Sequence, residues 1–245
     1  MPFKTPMSFR ILLACFLYGS SAICHVLASD RTDKAEIAVV NLSNRDPEIQ
    51  RKALMSLLDQ DQIGVVPDSA LEPLLVLVKS KDSIIRARAV QALGILGSAY
   101  LGRTEPIFIS ALDDEHDVAV EAAIATGRLK IESSVPRLSK MSERKDPVER
   151  HFAADALSRI GTTEARAAYL KYVAGNLPAL IDELDSNNMS IAADADVVIS
   201  RINAGLKKLG LQDTPEGRAA LTAKEIAQKK SKERWSREFG LNVPK

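Results

Sequence analysis

Residues 82–97 read DSIIRARAVQALGILG, and the reading of this stretch decides the architecture. Asp82 is a residue type that caps a helix through its side chain, and Gly97 is one that stops it. Between them Ala89, Ala92 and Leu93 stand at i, i+3 and i+4, the spacing of one helix face. Three further segments superpose on it: DPEIQRKALMSLL from Asp46, EHDVAVEAAIATGRLK from Glu115 and DPVERHFAADALSRIG from Asp146. Ala53, Ala89, Ala122 and Ala153 then share one column at intervals of 36, 33 and 31 residues. Ser56, Ala92, Ala125 and Ala156 make a second small column, followed by Leu57, Leu93, Thr126 and Leu157. Columns of small residues let neighbouring helices approach closely, as stacked repeats require. Each segment is therefore the first helix of a repeated unit.

A second helix is expected in each unit. Pro73, Pro106 and Pro136 stand in SALEPLLVLV, TEPIFISAL and SSVPRLSKM, where a proline suits the first turn because its missing N–H is no loss there. In the fourth unit the corresponding segment is EARAAYLKYV. Two helices per unit of about thirty residues, repeated four times, make an all-α chain built as an α-solenoid.

The pattern D-P-x-[VI]-x-x-x-A-x-x-A-L-x-x-[IL]-G followed by [AV]-x-P-x-L resembles the HEAT repeat, particularly its short bacterial HEAT-like form. The resemblance covers residues 44–173, and the third copy departs from it at Thr126-Gly127 and in having no basic residue after Val118. It implies that Asp82 with Arg86, and Asp146 with Arg150, belong to a polar ladder inside the array. Exposed pairs of that kind contribute roughly 0.3–0.5 kcal/mol each, so they would set register more than stability. Families of this fold include binding scaffolds, bilin lyases and a DNA glycosylase family.

Outward from the repeats, residues 174–215 read as a degenerate fifth unit, because Val198 to Asn203 echoes Ala156 to Gly161. Residues 216–245 read as a basic, C-terminal capping helix with Ala219, Ala220, Ala223, Ile226 and Ala227 at helical spacing and Trp235 and Phe239 to pack it. Residues 29–43 are expected to be a linker. Residues 1–28 have the three parts of a signal peptide: Lys4 and Arg10, the apolar run ILLACFLY, and a small-residue end at Ala28. Cleavage there removes both cysteines, Cys15 and Cys24, and with them disulfide and thiol chemistry. Export to the periplasm or beyond is the expected localisation, with a retained anchor or a lipoprotein as the alternatives.

With 33 Lys+Arg against 32 Asp+Glu, near-zero net charge argues against a general nucleic-acid binder. The charge is uneven along the chain: residues 174–200 hold five acids and no base, whereas residues 201–245 hold eleven bases and five acids. His116 and His151 are the histidines after the leader, and neither sits in a metal-binding spacing; no cofactor or metal is called for. A phosphate-binding glycine loop and a nucleophile elbow are missing as well. The candidate sites are thus surfaces. Aligned on the prolines, the second helices offer Leu74 and Leu77, Ile107 and Ser110, Arg137 and Lys140, then Ala168 and Lys171, a face running from apolar to basic. Core packing is the competing role for Leu74 and Ile107. The tail offers Lys229, Lys230, Lys232, Arg234 and Arg237 for an acidic protein or anionic lipid. These features point to a non-enzymatic protein-binding scaffold of the bacterial cell envelope. A HEAT-like lyase or small-ligand subunit, and a membrane-surface protein using the tail, are the alternatives.

Overall fold

The computed structural model describes residues 33–59, 66–186 and 188–239, so residues 1–28, expected to be a signal peptide, and both cysteines lie outside the described residues. Eleven helices follow one another there: α1 (33–42), α2 (Pro47–Leu58), α3 (Leu71–Leu77), α4 (Ser83–Leu96), α5 (Leu101–Ala111), α6 (His116–Leu129), α7 (Val135–Met141), α8 (Pro147–Ile160), α9 (Thr163–Glu183), α10 (Met189–Leu209) and α11 (Pro215–Phe239). Short 3-10 turns at Asp68–Ala70, Gly97–Tyr100 and Glu132–Ser134 lead into α3, α5 and α7. No strand occurs among the described residues. The fold is all-α, an α-solenoid of helix pairs. The chain divides into two compact units at Ala125/Thr126, inside α6.

The repeat columns become the core. Ala53, Ala89, Ala122 and Ala153 are buried, as are Ala92, Ala125 and Ala156 and the Leu57, Leu93, Thr126, Leu157 set, while Ser56 is half-buried. The glycine after Leu93 or Thr126 has a packing role. In the first unit a Cβ on Gly94 would come 3.0 Å from Ala125 Cβ; in the second, one on Gly127 would come 2.7 Å from Ala156 Cα. Gly94 lies inside α4, which ends at Leu96 with Gly97 as its cap, and is a contact point with the next first helix.

Asp46, Asp82 and Asp146 cap α2, α4 and α8, each accepting from a backbone N–H at 2.8 or 2.9 Å. At the other end of α8, Gly161 adopts φ 73° and its N–H donates to Leu157 O, a left-handed close that glycine takes without steric cost. The polar ladder is built between units of the repeat, not within one helix. Asp82 Oδ1 caps its own helix while Oδ2 accepts from Arg51 Nε at 3.1 Å. Arg86 reaches forward to Asp114 as a fork, Nε to Oδ2 at 3.0 Å and Nη2 to Oδ1 at 2.7 Å, and also donates to Ser80 O. In the second unit Arg150 Nε donates to Asn176 Oδ1 at 2.9 Å. The reason is geometric: the capping aspartate is committed to its own N–H groups, which leaves its second oxygen facing the preceding repeat.

Four expectations are corrected. Residues 33–42 are helical, not linker, and bury Ala35, Ala38, Val39 and Leu42, because their apolar residues recur at helical spacing. Pro106 is not in a first turn but inside α5, whose start runs back to Leu101; the carbonyl it cannot bond belongs to Gly102, which is exposed to water. The boundary at residue 173 falls within α9, a single helix to Glu183 that carries Pro178 on an exposed position. The fifth pair is α10 with α11: α11 packs on α10 and α9 through buried Ala220, Ala223 and Ala227, with Ala219 outward. It closes the second unit and is at the same time the second helix of that pair.

Candidate functional site

The second helices α3, α5 and α7 expose a face whose register is set by their buried residues. Leu71, Leu74 and Leu77 are buried in α3, Thr104, Phe108 and Ala111 in α5, and Val135, Leu138 and Met141 in α7. Leu74 and Leu77 are therefore core residues, fully or almost fully inaccessible, and not part of a binding face. The prolines do not share a register, since Pro73 stands one residue before a buried position whereas Pro106 and Pro136 stand two before. Aligned on the buried Leu74, Phe108 and Leu138, the residue matching Ser110 and Lys140 is Val76, which is 70% exposed. The apolar triplets at i, i+3 and i+6 in α3 and α7 were the signal in the sequence that would have found it.

In the first unit this face carries exposed Val76 and Ser110 and half-buried Ile107. Glu72 on α3 and Arg103 on α5 bridge the two helices, Oε1 to Nη1 at 2.6 Å and Oε2 to Nη2 at 3.1 Å. Hydrogen bonding from that guanidinium holds the Glu72 carboxyl below its ordinary range. The pair is exposed, so it orients the two helices more than it stabilises them.

In the second unit the corresponding positions of the second helices are basic. Arg137 and Lys140 are exposed on α7, and Lys171 is exposed on α9, where it pairs with Glu143 at 2.8 Å; Ala168 is half-buried. At the tail Lys230 pairs with Asp185, which ties α11 to the turn after α9, while Lys229 and Lys232 are exposed. The side chains of Arg234, Trp235, Arg237 and Phe239 lie outside the described part of the structure. No group of His, Cys, Asp or Glu side chains able to hold a metal ion occurs among the described residues, and no described helix is long and apolar enough to cross a membrane.

His116 is exposed, whereas His151 is partly buried against Phe152 with ring centroids 5.8 Å apart. Burial, then the neighbouring Arg201, pushes the His151 imidazole below its ordinary pKa.

No protein-family description matches the chain. No curated protein is similar to it either. Among solved structures it is similar to an engineered protein, 21% identical over 80% of this chain and 97% of the other, with a TM-score of 0.49. It is also similar to the complex of CpcE and CpcF of phycocyanin lyase from Nostoc sp., 16% identical over 79% of this chain and 94% of that one, TM-score 0.46. A third is an archaeal HEAT-like repeats protein from Thermococcus onnurineus, 18% identical over 77% and 99% of the two chains, TM-score 0.38. At these identities and TM-scores the likenesses say nothing about a ligand or an activity of this chain.

Proposed function

We propose that this chain is a non-enzymatic binding scaffold of the bacterial cell envelope, exported by its leader, and that it holds an acidic segment of a partner protein on its second helices. The observation that carries the reading is the exposed pair Arg137 and Lys140 on α7, a helix anchored from beneath by buried Val135, Leu138 and Met141. Rigid, repeated helices present side chains from a backbone that is already ordered, so a partner is held by the sum of modest contacts without a catalytic group. Lys171 is held in place by Glu143 and contributes direction more than charge.

The test is affinity capture from cross-linked cell envelope with the wild-type chain and with an Arg137→Glu/Lys140→Glu variant of unchanged melting temperature. A protein retained by the first and lost by the second supports the assignment. Equal recovery by both refutes it, and recovery that depends instead on Lys229 and Lys232 transfers the function to the tail.

A further inference from the structure

The second unit contains a cavity of about 410 Å³ that lies away from the second-helix face, between α8 and α10 and over the tyrosines of α9. That volume is in the range that holds small-molecule ligands, roughly 300–1,000 Å³. Its floor is apolar: Tyr169 and Tyr172 are buried, Ile202 and Gly205 are buried, and Phe152 is half-buried. Tyr169 donates its hydroxyl to Ile202 O at 3.1 Å, so that polar group is already satisfied.

The rim is cationic. Arg159, Arg201 and Lys208 line it with a single carboxylate, Asp155, which Arg159 already engages at 2.7 Å. Among the described residues no carboxylate comes within ion-pair distance of Arg201 or Lys208. Instead Arg201 Nη1 lies 2.8 Å from His151 Nε2. A guanidinium has no acceptor, so that contact requires a neutral imidazole with Nε2 accepting and the proton on Nδ1. His151 Nδ1 is buried and makes no hydrogen bond. The corner therefore has an Arg with no counter-charge and a His with one unsatisfied nitrogen, beside a cavity with an apolar floor.

We infer that this cavity binds a small organic anion. Arg201 holds its carboxylate or phosphate head, the apolar body lies over Phe152 and the tyrosine floor, and Lys208, two helical turns along α10, adds attraction at the other end. The cavity is too small for a folded partner, and its apolar floor distinguishes it from a site for inorganic phosphate.

Calorimetric titration of the purified chain with 1-naphthoate, with phenyl phosphate and with the uncharged 1-naphthalenemethanol tests this. The expected result is saturable binding of one or both anions at one per chain, at least about tenfold tighter than the alcohol, as a charge-assisted hydrogen bond provides. Preference for naphthoate or for phenyl phosphate identifies the head group. Arg201→Gln is expected to bring the anion down to the affinity of the alcohol, and Lys229→Gln to leave it unchanged. Ala204→Trp, at an exposed position of the wall, fills the cavity without removing a charge and is expected to abolish binding while melting as the wild type does. Equal affinity for charged and uncharged probes, wild-type binding by both Arg201→Gln and Ala204→Trp, or no saturable binding of either anion at millimolar concentration overturns the inference.

Discussion

Replacing Gly205 with alanine tests how α9 and α10 are joined. A Cβ at that position would overlap the Tyr169 hydroxyl and stand 2.6 Å from its Cζ, and Tyr169 is only 3% exposed, so the ring has little room to retreat. Moving the ring takes its hydroxyl from Ile202 O, which keeps its own helical N–H partner, and leaves the buried phenol unsatisfied, at about 1–3 kcal/mol. Overpacking adds about 1–3 kcal/mol, and alanine's better helix propensity returns about 1 kcal/mol. The net loss expected is therefore about 3 kcal/mol, within a range of about 1–5. Chemical denaturation followed by far-UV circular dichroism measures it. A double-mutant cycle isolates the cause: Tyr169→Ala is costly by itself, but in its background Gly205→Ala should be neutral or stabilising by up to about 1 kcal/mol. An equal loss in both backgrounds, or no loss in the wild type, would refute the reasoning.

Further outcomes follow from the same geometry. Gly127→Ala sets a Cβ against the backbone of α8 and should cost about 1–3 kcal/mol, whereas Gly175→Ala, with open space around it inside α9, should stabilise by up to about 1 kcal/mol; urea midpoints compare them. Asp82 and Asp114 are held below the ordinary carboxylate range, first by hydrogen bonds from Arg51 and Arg86. Their contribution is complete above the unfolded value of about pH 4 and is lost as pH falls through the folded values, so Asp82→Asn with Asp114→Asn should flatten the acid limb of a melting-temperature profile. His151 is likewise depressed, by burial and by Arg201, with Asp155 opposing. Stability should fall as pH drops below about 6.5 toward the folded value, and His151→Gln should remove that slope.

The repeat was legible because close packing leaves a mark in composition. Ala53, Ala89, Ala122 and Ala153 are all buried, and small residues recurring at similar intervals report that without any tertiary information. The capping aspartates were legible for a local reason, since each bonds N–H groups two or three residues away. The second-helix face was read less well. A proline marks the start of a helix only loosely, and a register error of one residue rotates the face by about 100°, enough to exchange buried Leu74 for a surface position and to hide Val76.

The order of helices, their caps, the small columns and the basic tail were all determined by residues near one another in the chain, where periodicity and local hydrogen bonding act. Which partner each polar group takes was decided by the fold. Arg86 has Asp82 one turn away yet forks onto Asp114 of the next repeat, because the Asp82 side chain is occupied by its own helix terminus and by Arg51. His151 and Arg201 are 50 residues apart and meet over a cavity floored by tyrosines. Such pairings depend on how α8, α9 and α10 stack, and stacking is a property of distances between helices that no local pattern encodes.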